Sequence, residues 1–360
     1  MGHLINGKAF RRYVASKTKE KENYILILDE IQYLENFVGV LNGYLKHSNF
    51  DVYVTGSNSK FLSSDVVTEF RGRSMRVHVL PLTFSEYVES KESDLQQLWA
   101  SYITYGGIPL VASMEDIQQK EQYLKDLSTE TYLKDIIQRN GIRNTSELSD
   151  TFNLISSMIS RELNPSKLSN TFNSTGKKKI TAETMERFIR YFEESFLIER
   201  AIKFDIKGKK YIQSPFKIYF EDIGVRNAQL NFRQIEESYA LENIIYNELR
   251  YRGYHVDVGV SRQSYDTGRK DKNGHKIYGR KQLEVDFIAT KGSQKYYIQS
   301  CLHMENDQVV EREKRSLINI QDSFKKIIIT KNGLLPNRDE QGIVTLDLFT
   351  FLLNENSLTL

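Results

Sequence analysis

The stretch Tyr24-Ile25-Leu26-Ile27-Leu28-Asp29-Glu30 limits the possible folds more than any other in the chain. Five apolar residues run without polar alternation and then stop at two acids. A half-exposed antiparallel strand would alternate, so a short unbroken run predicts a strand covered on both faces of a parallel sheet. Two further runs, Val52–Thr55 and Val77–Leu80, follow at intervals filled by helical patterns. Strand and helix in alternation predict an α/β core with a parallel sheet. In such sheets ligands gather at the carboxyl ends of the strands, where Asp29 and Glu30 fall.

Asp-Glu at the end of an apolar strand has the form of a Walker B element. Phosphoryl transfer needs an Asp to hold Mg²⁺, usually through its water shell, and a second carboxylate to orient or deprotonate the attacking water. A plainer reading of the same heptapeptide is a buried strand followed by an Asp helix cap. The second run ends in Thr55-Gly56-Ser57-Asn58, which puts polar side chains at the same edge. Phe70-Arg71-Gly72-Arg73 then leads into the third run. An arginine there can stabilise charge on a transferring phosphoryl group, although Arg-Gly-Arg alone also describes a solvated turn.

Taken in order, Leu28-Asp29-Glu30-Ile31-Gln32, Thr55-Gly56-Ser57-Asn58-Ser59, Gly72-Arg73, Pro81-Leu82-Thr83-Phe84-Ser85-Glu86-Tyr87 and Tyr105-Gly106-Gly107-Ile108-Pro109 resemble a family of bacterial and archaeal AAA+-type P-loop ATPases that carry a C-terminal domain of unknown function. The resemblance extends through Tyr132-Leu133-Lys134-Asp135-Ile136 and Phe220-Glu221-Asp222-Ile223-Gly224-Val225-Arg226-Asn227. It implies ATP and Mg²⁺ as cofactors, with Asp29 holding the metal and Glu30 as the catalytic carboxylate. Ser57 or Asn58 would be the sensor of the γ-phosphate. Arg73 would be an arginine finger acting on a neighbouring subunit of a homo-oligomer.

Such ATPases also need a glycine-rich loop with Lys on the phosphates and Ser or Thr on the metal. Gly2-His3-Leu4-Ile5-Asn6-Gly7-Lys8-Ala9 fits G-x-x-x-x-G-K, but Ala9 replaces the hydroxyl and no strand precedes it. Phe10–Lys21 reads instead as a charged helix leading into the Walker B strand. The expectation is an ATPase core whose phosphate loop lies upstream of Met1, binding Mg-ATP weakly or not at all.

The remaining pattern predicts two further parts. Helical texture from Glu92 to Asn153 breaks at Gly106–Gly107 and Pro109. A helix near Pro165–Phe172, a second after the N-cap Thr181, and strands Leu197–Phe204 and Tyr211–Phe220 joined at Lys207-Gly208-Lys209 follow the layout of a winged helix. From Ile235, a helix and strands at His255–Val260, Glu284–Thr290, Lys295–Gln299 and Lys326–Thr330 form a separate α/β unit. Glu242, Asp286 and Gln299 there resemble a PD-(D/E)xK (restriction-endonuclease-like) nuclease core. Gln299 stands where that chemistry needs an acid, and Cys301 where it needs a lysine, so a lost active site is expected. The divisions are 1–113 for a truncated AAA+ core, 114–232 for a helical linker and winged helix, and 233–360 for the degenerate nuclease-like domain.

Lys and Arg total 50 against 47 Asp and Glu, for a net charge of +3, so charge alone does not single out a nucleic-acid protein. Basic residues nevertheless concentrate in a stretch from Arg262 to Lys281, whose glycines predict a long, mobile hairpin, and in the wing. Lys209, Lys210, Arg269, Lys270, Lys272, Arg280 and Lys281 are the candidates for contact with DNA phosphates, against the plainer reading of solvated charge. The single cysteine, Cys301, rules out a disulfide framework. No apolar run approaches the roughly 20 residues needed to span a bilayer, and the polar N-terminus has no signal core, so a cytoplasmic protein without membrane attachment is expected.

Overall fold

The computed structural model describes residues 6–19, 21–56, 70, 72–89, 91–175, 179–270, 272, 274–304, 306–331 and 336–360. They form two compact units, Met1–Val79 with Glu194–Phe196, and Leu80–Glu193 with Leu197–Leu360.

The first unit is a small αβ assembly. Helix α1 (Gly7–Lys17) starts where the Asn6 side chain accepts the Lys8 and Ala9 N–H groups at 3.0 and 3.3 Å. It buries Phe10 and Val14, one helical turn apart, in a cluster with Ile31, Leu34, Val40, Leu41 and Tyr44. Strand β1 (Tyr24–Leu28) pairs in parallel with β2 (Phe50–Val54), from Tyr24 opposite Phe50 to Leu28 opposite Val54, and α2 (Phe37–Tyr44) connects them. Burial differs from expectation. Leu26, Leu28, Val52 and Val54 pack against the cluster, whereas Ile25, Ile27 and Tyr53 are 69%, 71% and 56% exposed. One face of the pair is covered, not both. The strand expected at Val77–Leu80 does not form: residues 74–80 carry no ladder, and Met75, Val77 and Val79 are exposed. A β-run is stable only with a hydrogen-bonded neighbour, and among the described residues β2 pairs with β1 alone.

The second unit begins with helices α3 (Phe84–Glu89), α4 (Leu95–Tyr105) and α5 (Pro109–Ser113). A continuous helical run follows, α6 (Ile117–Asp126), a π-helical segment Leu127–Leu133, and α7 (Lys134–Asn140). Of the expected breaks, Gly106–Gly107 falls between α4 and α5 and Pro109 opens α5. After α8 (Thr145–Ser156) come α9 (Pro165–Thr175) and α10 (Ala182–Glu194), the latter capped by the Thr181 hydroxyl on Thr184 N–H at 3.1 Å. Met185, Phe188, Ile189 and Phe192 make its buried face.

Strands β3 (Glu162–Leu163), β4 (Ile198–Asp205), β5 (Lys210–Phe220), β6 (His255–Lys270), β7 (Lys276–Lys291), β8 (Gln294–Cys301), β9 (Lys325–Thr330), β10 (Asn337–Arg338) and β11 (Ile343–Asp347) form one sheet ordered β10-β11-β9-β8-β7-β6-β4-β5-β3. The expected hairpin forms, β4 antiparallel to β5, but its place in a domain separate from the C-terminal unit is corrected: β4 also pairs in parallel with β6, Lys203 opposite Val258 through Asp205 opposite Val260. Its strands extend the C-terminal sheet because Ala201, Phe216, Ile218 and Phe220 belong to the same core as Val256, Val258 and Phe287. The basic stretch 262–281, expected as a long hairpin, is one, with β6 and β7 paired out to Lys270 opposite Lys276.

Two motif stretches that lie far apart in sequence meet in this unit. The Asp222 carboxylate caps helix α11 (Ile223–Gln229) at Val225 N–H, 3.0 Å, and accepts Gly107 N–H at 2.8 Å. Asn227 donates to the carbonyls of Ile103 and Thr104 at 2.8 and 2.9 Å. The backbones approach so closely that a Cβ on Gly224 would lie 2.1 Å from the Tyr105 carbonyl oxygen. After this joint comes α12 (Glu237–Tyr251), which packs over the sheet and carries Glu242. Among the described residues, no helix is long and apolar enough to cross a membrane.

Candidate functional sites

At the carboxyl ends of β1 and β2 the ladder runs one step past the strands: Thr55 N–H bonds to Leu28 C=O at 2.9 Å, and Ile31 N–H to Thr55 C=O at 3.1 Å. The turn joins the Asp29 and Thr55 side chains and ties Glu30 to Thr55 through its backbone N–H. Thr55 Oγ1 donates to Asp29 Oδ1 and accepts Glu30 N–H at 3.0 Å, and Gln32 donates to Glu30 Oε2. Glu30 has φ 49° and ψ 51°, a left-handed conformation that costs a non-glycine residue about 1–3 kcal/mol and that clusters at functional sites. Asp29 is exposed. These are hard oxygen donors facing water, a set that suits Mg²⁺ and its hydration shell. Thr55 is the residue that sequence reasoning passed over, and its place as the last residue of the second run was the signal. The predicted Ser57 and Asn58 lie outside the described residues. The Arg73 guanidinium donates to Asn42 Oδ1 at 2.9 Å and Phe70 C=O at 3.3 Å within its own unit. Gly7 and Lys8 belong to α1, where the Lys8 and Ala9 N–H groups are directed to Asn6 Oδ1.

A second constellation lies in the other unit, in an open cleft of about 500 Å³ lined by Arg161, Glu162, Tyr239, Gln299 and Ser300 together with a buried ion network. At its centre is Lys217, which lies on β5 between Phe216 and Ile218 and is 4% exposed. Its ammonium is 2.8 Å from Glu242, 2.7 Å from Glu284 and 3.9 Å from Asp286. Glu242 also accepts the Tyr219 hydroxyl at 2.8 Å. Asn243, the next residue on α12, binds both the N–H and the C=O of Phe220, at 2.7 and 2.8 Å, and so fixes Glu242 opposite β5. Asp286 accepts Ser300 N–H at 2.9 Å and its hydroxyl at 2.7 Å. Lys203 bridges Glu162 and Glu284.

Burial governs the electrostatics of this cleft. It pushes Asp286 up to about 7, with Glu242 adding to the rise and Lys217 opposing it. Burial likewise raises Glu242 against the pull of Lys217. Glu284 is held below the usual range because the attraction of Lys217 and Lys203 outweighs its burial. The three carboxylates raise Lys217 far above an ordinary lysine, overcoming its burial.

Glu242 and Asp286 are thus brought together as expected, but Gln299 and Cys301 do not complete the group. The Gln299 amide donates to Glu313 at 3.2 Å and accepts the Ser316 hydroxyl at 3.2 Å, both on helix α13 (Asp307–Ile318). Cys301 is buried with Val285, Ile288, Tyr297 and Leu317. The residues missed were Lys217, Glu284 and Lys203. Among the described residues, no group of three His, Cys, Asp or Glu side chains is arranged to hold a metal ion.

The predicted phosphate-contacting residues fall at two places. Lys209 and Lys210 sit at the β4–β5 turn; Arg269, Lys270, Lys272, Arg280 and Lys281 lie along the β6–β7 ribbon. Part of the ribbon's basic charge is neutralised, by Lys276 on Asp266 and Arg262 on Asp205, each at 2.8 Å.

Comparison with known proteins divides the chain similarly. A family model described as an AAA domain matches residues 4–88, and one described as a domain of unknown function (DUF8612) matches residues 96–236. An uncharacterized protein of Haemophilus influenzae is 30% identical over 327 residues, spanning 89% of this chain and 76% of its own length. An uncharacterized protein of Methanocaldococcus jannaschii is 29% identical over 316 residues, spanning 83% of this chain and 65% of its own length. The crystal structure of a Vibrio cholerae protein aligns with 98% of this chain and 78% of its own at 10% identity, with a TM-score of 0.22.

Proposed function

The chain belongs to the protein family that includes the uncharacterized Haemophilus influenzae protein, with an AAA domain over residues 4–88, and on that premise we propose that residues 24–56 form the metal and water side of an AAA-type Mg-ATP site. The observation that carries this reading is the Asp29–Thr55–Glu30 cluster at the carboxyl edge of a parallel strand pair. Asp29 holds the hydrated Mg²⁺. Glu30, fixed by Gln32 and its left-handed backbone, orients the attacking water, and Thr55 locks the two acids in register. Mg²⁺ supplies charge neutralisation of the phosphates when bound. Ser57 or Asn58 senses the γ-phosphate, and Arg73 serves a neighbouring subunit of a homo-oligomer.

Among the described residues no glycine-rich loop faces the acids, so nucleotide affinity from this side alone is weak. Phosphate release at millimolar Mg-ATP tests the reading. Turnover that falls at least about 100-fold in Glu30→Gln supports it, as the loss of a positioned general base does. No release from the unaltered chain, or equal release from the variant, removes ATP hydrolysis.

DNA contact is a second reading, for which the exposed Arg269, Lys270, Lys272 and Lys281 of the β6–β7 ribbon and Lys209 and Lys210 at the β4–β5 turn would supply the phosphate contacts. It requires duplex binding that weakens steeply with salt and with charge removal at Arg269 and Lys270. The C-terminal α/β part remains, in this reading, a nuclease-like fold without its hydrolytic set.

A further inference from the structure

Glu242, Glu284 and Asp286 come from a helix and a strand that are unrelated in sequence, yet all three point at one atom. We propose that the Lys217 ammonium is the built-in cation of this cleft, standing where a divalent, oxygen-preferring metal would otherwise be held, and that its removal converts the cleft into a Mg²⁺- or Mn²⁺-binding site.

Three features argue for it. First, the contacts are those of a cation with its ligands: carboxylate oxygens 2.8 and 2.7 Å away and a third at 3.9 Å, supplied by different elements. Second, the spacing suits an ammonium and not a metal. Mg²⁺ draws its oxygens to about 2.0–2.1 Å, so the two cations cannot share the position, and the oxygens stand at hydrogen-bond distance. Third, the lysine is held in place. Lys217 is 4% exposed, and its hydrogen-bond partner Glu242 is anchored by Tyr219 and by the Asn243 clamp. A surface lysine with a single exposed partner would swing out and admit a competitor, whereas this one is held by two carboxylates at hydrogen-bond distance. Lys203 repeats the device at the rim by neutralising Glu162 and the second oxygen of Glu284. Two ammonium groups thus supply positive charge among the four carboxylates of the cleft without a metal.

The test counts bound Mn²⁺ by electron paramagnetic resonance. It is performed in an Asp29→Asn background, so that the N-terminal acids contribute nothing. With Lys217 in place, no Mn²⁺ binds in the cleft. In Lys217→Met one Mn²⁺ binds per chain, is lost on adding Asp286→Asn, and raises the thermal midpoint. Lys217→Met with Glu284→Gln gives the same gain with less uncompensated charge, should the single variant fold poorly. A Mn²⁺ bound beside Lys217 and lost with Asp286→Asn overturns the proposal, as do folded variants that bind none. Failure of both variants to fold even with millimolar Mn²⁺ overturns it too, because a metal in the ammonium's place restores the missing positive charge.

Discussion

Replacing Gly224 with alanine places a Cβ 2.1 Å from the Tyr105 carbonyl oxygen, 2.4 Å from its carbon and 2.9 Å from the Gly106 nitrogen. All three are backbone atoms, so no rotamer change relieves the clash. Reaching an ordinary contact of about 3.5 Å requires α11 and the end of α4 to separate by well over 1 Å. That movement stretches the Asp222–Gly107 bond and both Asn227 bonds, to Ile103 and Thr104, beyond hydrogen-bond range. A hydrogen bond to a charged group is worth about 1.5–3 kcal/mol and a neutral one about 1 kcal/mol, so Gly224→Ala should cost about 3–5 kcal/mol. Trp99, the only tryptophan, is buried in the same unit and donates to Glu237 at 2.8 Å, so its fluorescence in urea reports this unit. Gly141→Ala is the control: Gly141 has φ +59° but open space around the Cβ position, and should cost about 1–2 kcal/mol. If Gly224→Ala loses less than the control, the two motif stretches are not a tight joint and the reasoning fails.

The same joint carries a pH dependence. Burial pushes Asp222 up to about 6, against an ordinary 3.8, so the folded state takes up its proton before the unfolded state does. Stability owed to this group is present at acid pH and lost as pH rises from about 4 through about 6, by about 3 kcal/mol at 1.36 kcal/mol per unit. Urea titrations of the wild type and Asp222→Asn should therefore diverge in favour of the wild type as pH falls from 6 to 4; parallel curves would refute the burial effect. In the first unit, Gly43 near the end of α2 has no atom within 4 Å of its Cβ position and no positive φ. Gly43→Ala should stabilise that helix by about 0.5–1 kcal/mol, slowing exchange of the Leu28 and Val54 amides by about two- to five-fold.

The C-terminal strands, the α9–α10 helices and the Asp29–Glu30 strand end were legible because each has a local cause: an apolar run, a Thr181 cap, or the polar end of a strand. The ion cleft was not. Lys217 within Phe216-Lys217-Ile218-Tyr219-Phe220 was visible as a charge in an apolar strand, and Glu284-Val285-Asp286 as two acids at strand period, but nothing local joins β5 to β7. The fixed motif spacing drew attention to Gln299 and Cys301 instead. Val77–Leu80 failed for the opposite reason: its composition suits a strand, and a strand also needs a neighbour. The wing misled because a helix-helix-hairpin order does not tell whether the hairpin's free edge is paired.

The most direct measurement follows amide resonances during titration with Mn-ATP, whose paramagnetism broadens nearby signals even when binding is weak. The account predicts selective broadening at Glu30, Ile31 and Thr55 that vanishes in Asp29→Asn, while Ser300 and Val285 in the Lys217 cleft stay sharp. Broadening that leaves the Asp29 edge untouched, or that persists in Asp29→Asn, would contradict the assignment of these acids to a nucleotide-bound metal.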